Sequence, residues 1–309
     1  MFPGQGSQYI GMGKEFYEQI PICKEVYDLA SEVTGLDIPA LCFEENEKIN
    51  ITEYTQICML ATEAAIYMAL EQNGYQPDVT AGLSLGEYGA LIASGVMTAE
   101  EAFELVRKRG IFMQEAVPAG GAMAAVLGLD AAAIEQICRE TAEQTGSEVS
   151  IANYNCPGQI VISGQEEAVH LAGETCKASG AKRVVPLKVS GPFHSKMLRG
   201  AGEKLKEELK KVEISDSFVP YIANVTADYV TKKEEVKLLL ASQVSSSVRW
   251  QQTIERLLAD GADEFVEIGP GRTLSGFVKK VNRDVKVSSI DKMEDFIQFI
   301  GSHVEAGAC

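Results

Sequence analysis

Histidine is scarce in this chain, at three in 309 residues, and tryptophan occurs once. The seven cysteines are odd in number and form no C-x-x-C pair. A disulfide framework and a zinc site are therefore not expected, and a reducing cytoplasm fits this usage best. Positive charge is also short: 28 Lys and Arg face 44 Asp and Glu, for a net charge of −16. Such a balance argues against nucleic-acid binding, which needs a basic surface against phosphates. No uninterrupted apolar run reaches the ~18 residues of a membrane span. The opening Met1-Phe2-Pro3-Gly4-Gln5-Gly6-Ser7-Gln8 has neither a charged n-region nor an apolar h-region, so no signal peptide is expected.

What is present alternates between strand and helix patterns, which predicts an α/β fold with a mainly parallel sheet. Thr52–Gln72 has helical spacing, Asp78–Leu83 reads as a short strand, and a helix follows over Gly86–Ser94. Thr98 with Glu101 forms a capping box that starts another helix. From Ala122 to Val189 the order is β-α-β-β-α-β, that of a ferredoxin-like unit. It is expected to be a subdomain of residues 119–189, inserted between the segments 1–118 and 190–309 of a larger α/β domain. Further on, a helix is expected over Ser195–Lys211, then a strand over Val219–Asn224. A second helix–strand pair, Trp250–Ala259 and Glu264–Ile268, leads into the turn Gly269-Pro270-Gly271.

Gly82-Leu83-Ser84-Leu85-Gly86 fits G-x-S-x-G, with a strand expected before it and a helix after it. The glycines permit a tight turn that presents the Ser84 hydroxyl at a helix N-terminus. The Leu85 N–H there can face the oxyanion of a tetrahedral intermediate. A serine nucleophile needs a base. His303 lies in the C-terminal tail and His170 within a subdomain helix, which leaves His194, in a loop between a strand end and a helix start. The hydrolase order Ser…Asp/Glu…His offers only one aspartate in between, Asp130, inside the subdomain. A Ser–His pair whose imidazole is held by a backbone carbonyl is the alternative.

Arg109 falls on the same helical arc as Ala102, Phe103, Leu105, Val106, Phe112 and Met113. A guanidinium on an apolar face needs an anion. Either it pairs with a core glutamate, or it clamps a substrate carboxylate, which its planar fork suits. Lys177, Lys182, Arg183, Lys188, Lys196 and Arg199 form a stretch free of Asp and Glu. It is either a solvated face or a docking patch for an acidic protein. No residue cluster suggests a metal.

These segments together resemble the malonyl-CoA:acyl carrier protein transacylase family. The resemblance runs nearly end to end: FPGQGSQ (Phe2–Gln8), GLSLGEY (Gly82–Tyr88), RGIFMQEA (Arg109–Ala116), NYNCPGQIVISG (Asn153–Gly164), GPFHS (Gly191–Ser195) and EIGPGRTL (Glu267–Leu274). It implies a hydrolase-like parallel-sheet core with a ferredoxin-like insert. It further implies transfer of a malonyl group from malonyl-CoA to acyl carrier protein for fatty acid biosynthesis, without a cofactor. Ser84 matches the acylated serine and His194 its base. Gln5 and Leu85 match the oxyanion-hole amides, and Arg109 the malonyl-carboxylate receptor. In Val248-Arg249-Trp250, Arg249 matches the carbonyl that orients the histidine. Phe193 favours malonyl over methylmalonyl, because a bulky ring crowds an α-methyl. An acyltransferase of a polyketide pathway is the nearest alternative, a serine thioesterase or hydrolase a further one, and a non-catalytic carrier-binding protein a third. The chain departs from the family pattern twice. Leu83 replaces a histidine before the serine, and the strand that precedes F-P-G-Q-G in the family is reduced to Met1-Phe2, so an incomplete core strand is expected.

Overall fold

The parallel part of the structure is assembled from very short strands. The computed structural model describes residues 1–117, 119–189, 191–230 and 232–306, with side chains described to residue 302. Strand β1 (Thr80–Ala81) ends in the serine turn. The Gly121–Leu127, Val149–Cys156, Gln159–Gln165 and Arg183–Pro186 strands (β2 to β5) make a separate four-stranded sheet. Strands β6 (Tyr221–Ala223), β7 (Asp228–Tyr229), β8 (Glu264–Ile268) and β9 (Lys286–Ile290) complete the set. β1 pairs in parallel with β6, and β8 in parallel with β9, while β7 lies antiparallel on β6.

Met1 and Phe2 link the two parallel pairs. Phe2 donates to the Ala81 carbonyl and accepts from Leu83 N–H, each at 3.0 Å. Met1 accepts from Ile268 N–H at 2.9 Å, and its amine donates to the Val266 carbonyl at 2.7 Å. The expected incomplete strand is thus a two-residue bridge, hydrogen-bonded on both sides between β1 and β8. Phe2 is buried and fills the space against Tyr67 and Gly89. Next to this sheet, Thr52–Gln72 is buried along nearly its whole length, so it reads as apolar on every side rather than as one stripe.

The four-stranded sheet has the order β3-β4-β2-β5 with all pairs antiparallel. Helices Ala131–Thr145 and Glu166–Ala178 follow β2 and β4, giving the β-α-β-β-α-β order read from the sequence. Its inner faces bury their own cluster, including Val126, Ile134, Ile151 and Ile162. This sheet is stitched to the rest through Val248, which donates to the Ala152 carbonyl at 2.8 Å and accepts from Tyr154 N–H at 2.9 Å. Helices Thr52–Gln72 and Trp250–Ala259 have the bounds that their sequences predict. The Ser195–Lys211 expectation is corrected: a 3-10 turn at Lys196–Leu198 precedes a helix confined to Arg199–Leu209. The last strand of the subdomain, expected to run to Val189, spans only Arg183–Pro186 and ends at a proline, whose ring allows no ladder donor. The sequence reading leaves out the helices Lys14–Gln19, Pro21–Thr34, Ile38–Phe43, Lys233–Gln243 and Met293–Ala306, all of which are formed.

Candidate active site

Ser84 sits where β1 turns into the Gly86–Ala93 helix, with φ at 56°, a left-handed conformation unusual for a residue with a Cβ. The turn is too tight for side chains at its glycines. A Cβ on Gly82 would meet the Gly86 carbonyl oxygen at 1.8 Å, and one on Gly86 would meet the Phe2 carbonyl oxygen at 2.0 Å. Asn224, just beyond β6, holds the elbow from outside. Its Oδ1 accepts from Ser84 N–H at 2.6 Å, and its Nδ2 donates to the Gly82 carbonyl at 2.6 Å.

His194 also has a left-handed backbone, φ 59°, which turns its ring back toward the serine. Its Nε2 lies 2.8 Å from Ser84 Oγ. Its Nδ1 lies 2.9 Å from the Gln243 carbonyl oxygen and 3.2 Å from that of Ser246. Carbonyls only accept, so Nδ1 carries the proton and Nε2 presents a lone pair to the serine hydroxyl. Burial pushes the imidazole down to about 4, the nearby Arg109 charge adds to this, and the two carbonyls oppose it. A neutral imidazole at pH 7 is the form that can accept a proton.

The Arg249 expectation is corrected here. Its carbonyl accepts from Thr253 N–H at 3.0 Å and Thr253 Oγ1 at 3.1 Å, as the N-cap of the Trp250–Ala259 helix. A carbonyl turned into a helix axis is not free for an imidazole. The end of the Lys233–Gln243 helix supplies the acceptor instead, because its last carbonyls have no intrahelical partner.

Arg109 is 1% exposed, on the buried face of the Ala99–Ala116 helix. Of the two readings left open, the core ion pair is absent: among the described residues no carboxylate lies within 4.0 Å of the guanidinium. Nη1 donates to Gln56 Oε1 at 2.6 Å, and Nη2 donates to Gln243 Oε1 at 2.9 Å and to Ser84 Oγ at 3.1 Å. Nε is buried without an acceptor. A charged donor group thus stands next to the serine oxygen with neutral partners only.

Gln5, Leu85 and Phe193 line the same cavity, of about 270 Å³, as Ser84 and His194. Neither the Gln5 nor the Leu85 N–H is taken by an acceptor among the described residues, so both remain available to an oxyanion. Leu83 lines this cavity too, and its side chain closes against Gly4. An apolar group there joins Phe193, Met123, Val161 and Leu187 in the wall. Of the basic stretch, Lys182, Arg183, Lys188 and Arg199 are exposed, while Lys177 pairs with Glu174 at 2.8 Å and Lys196 with Glu148 at 3.7 Å. Glu174 lies one turn earlier on the same helix, whereas Glu148 is brought to Lys196 by the tertiary fold. Asp130 is the N-cap of the Ala131–Thr145 helix, accepting from Ala132 N–H, and takes no part in the site. His170 is exposed on its helix, and the His303 side chain and Cys309 lie outside the described residues. The six other cysteines are buried, and burial raises Cys23 and Cys138 to about 12, so neither of these two is poised as a thiolate.

The acyl transferase domain family model matches residues 1–294. A malonyl CoA-acyl carrier protein transacylase of Bacillus subtilis strain 168 is 50% identical over 296 residues, covering 95% of this chain and 93% of that protein. The chain belongs to the malonyl-CoA:acyl carrier protein transacylase family. The crystal structure of the Clostridium perfringens malonyl CoA-acyl carrier protein transacylase superposes with a TM-score of 0.95 at 41% identity, covering 99% of this chain and 97% of that one. A malonyl-transacylase in complex with its type II PKS acyl-carrier protein superposes with a TM-score of 0.94 at 38% identity, covering 97% and 98%. The transacylase fold, a hydrolase-like core with a ferredoxin-like subdomain, is therefore that of this chain.

Sequence reasoning missed Gln56, Glu87, Asn224 and Gln243. Glu87 lies in the first turn after the serine and is 1% exposed, which a polar residue in so apolar a helix hints at. Gln243 and Asn224 carry no motif; only the fold brings them to Ser84.

Proposed function

We propose that this chain transfers a malonyl group from malonyl-CoA to the phosphopantetheine thiol of acyl carrier protein, for fatty acid biosynthesis. The observation that carries the reading is Arg109: a buried guanidinium without a carboxylate partner, 3.1 Å from the oxygen that would carry the acyl group. A malonyl group has the carboxylate that this site lacks.

In this reading His194 Nε2 takes the Ser84 hydroxyl proton as Oγ attacks the thioester carbon. The Gln5 and Leu85 amides receive the oxyanion. The carbon–sulfur bond breaks, and the imidazolium returns its proton to the coenzyme A thiolate. In the second half the carrier thiol gives its proton to His194 and attacks the malonyl-serine ester; the ester carbon–oxygen bond breaks, and the imidazolium returns that proton to Ser84 Oγ. Arg109 holds the malonyl carboxylate throughout, and Phe193 narrows the cavity against an α-methyl. The carbonyls of Gln243 and Ser246 keep the imidazole in its working tautomer. No metal or redox group enters this chemistry, and malonyl-CoA is a substrate.

The catalytic domain would comprise residues 1–118 and 190–309, with residues 119–189 as the inserted subdomain. Acyl carrier protein, an acidic partner in this reading, would dock near Lys182, Arg183, Lys188 and Arg199. Among the described residues no helix is long and apolar enough to cross a membrane, and the reading places the chain in the cytoplasm. The likeness to a transacylase bound to a type II PKS acyl-carrier protein supports polyketide supply as a second reading. Exchange of carrier proteins separates the two. The first reading is tested by intact mass after incubation with malonyl-CoA: a malonyl adduct is expected, absent in Ser84→Ala, and no adduct refutes it.

A further inference from the structure

Glu87 stands behind Gln243, on the side away from Arg109. Its Oε2 accepts from Gln243 Nε2 at 2.7 Å and from the Asn224 backbone N–H at 3.1 Å. The same Gln243 Nε2 donates to the Ser84 carbonyl at 2.9 Å, and Gln243 Oε1 accepts from Arg109. Glu87 therefore fixes the Gln243 amide with its oxygen toward the guanidinium. Its other oxygen, Oε1, is buried without a hydrogen-bond partner. The interior around Ser84 thus holds one cation and one anion with a neutral amide between them.

An acyl group that brings its own carboxylate to Arg109 adds a second anion to this buried space. Uncompensated charge there is costly, and carboxylates that share one cation do not both stay ionised easily. We propose that Glu87 takes up one proton from solvent when a carboxylated acyl group occupies Arg109, so that loading is proton-coupled for malonyl and not for acetyl. This rests on the reading of Arg109 as the malonyl receptor. Oε1 can carry the proton without breaking either bond to Oε2.

The groups that face Glu87 leave it as the one that titrates. Arg109 on the Ala99–Ala116 helix stays charged, and Tyr221 on β6 and Tyr88 on its own helix are raised by burial above any working pH. His194, driven down to about 4, is neutral throughout the range that matters. Burial raises Glu87 to about 7, while Gln243, Asn224 and Arg109 hold it down. A ligand carboxylate on Arg109 cancels part of that hold, so the shift on loading is upward.

The test uses the whole enzyme equilibrated with malonyl-CoA, acetyl-CoA and coenzyme A. The ratio of malonyl to acetyl adduct is read by intact mass across the neutral range. The coenzyme A thiol cancels in this ratio. One extra proton on the malonyl form makes the ratio fall with rising pH by up to about tenfold per pH unit. In Glu87→Gln the ratio is expected to be flat. A flat ratio in the unmodified enzyme overturns the proposal, whether or not the variant folds. An equal slope in Glu87→Gln overturns it too, because another group would then be titrating. As a second readout, a pH-indicator dye during a single turnover should report proton uptake with malonyl-CoA and none with acetyl-CoA. No malonyl adduct at any pH would instead sink the malonyl reading itself, and the coupling with it.

Discussion

Arg109→Ala removes the group on which acyl selectivity is argued to rest, and its effect can be sized from the structure. The guanidinium makes three hydrogen bonds, to Gln56, Gln243 and Ser84 Oγ. When Oγ becomes an ester oxygen it is a poorer acceptor, so Nη2 and the free Nε are the donors available to a malonyl carboxylate. A charged hydrogen-bonded pair in a buried site, less the Oγ bond given up, is worth about 2–4 kcal/mol, or about 30–1000-fold. Acetyl has no carboxylate and gains none of this. Competition between malonyl-CoA and acetyl-CoA, read as adduct ratio by intact mass, should shift toward acetyl by that factor in the variant. The substitution also strands the Gln56 and Gln243 side-chain oxygens and should lower the melting temperature. The ratio is insensitive to that loss, since both acyl groups compete for the same folded molecules. Equal loss of both adducts would refute the argument and return Arg109 to a structural role.

The remaining expectations concern the base, the elbow and the docking face. Since His194 protonates near pH 4 in the folded protein, acylation should hold its rate down to about pH 5 and fall below that; a break near the ordinary histidine value of about 6.5 would contradict the geometry. The same depressed value means the unfolded chain binds a proton that the folded one refuses, so stability should fall as pH drops from about 6.5 toward 4, by on the order of 3 kcal/mol, measurable by denaturant unfolding. Asn224→Ala strands the Ser84 N–H and the Gly82 carbonyl, costing about 1–3 kcal/mol for each group left unpaired. Both kcat for malonyl transfer and the melting temperature should drop, and an unchanged kcat would show that the elbow holds itself. Charge reversal at Lys182 and Arg183 should raise KM for acyl carrier protein while leaving malonyl-serine formation unchanged; slower loading from malonyl-CoA would show instead that this face serves the coenzyme.

The serine elbow was legible because its constraints are local. Gly82 and Gly86 are there because no Cβ fits, and a helix must follow for the turn to close, so strand, nucleophile and helix come from one short segment. The β-α-β-β-α-β order and the burial of Arg109 were equally local, since periodicity alone places apolar residues on one face. The carbonyl that holds His194 was not local. Sequence resemblance pointed to Arg249, but that carbonyl caps its own helix, and the fray of the Lys233–Gln243 helix provides the acceptor. The partners of Arg109 were likewise out of reach. Gln56 and Gln243 lie 53 and 134 residues away, the first on a helix whose sequence says only that it is one, the second at the end of a helix that the sequence reading left out. The sequence by itself determined which groups could do chemistry. Only the tertiary structure decided which oxygen each of them meets, because hydrogen bonds act over a few ångströms and the chain brings distant residues within that range only by packing its core.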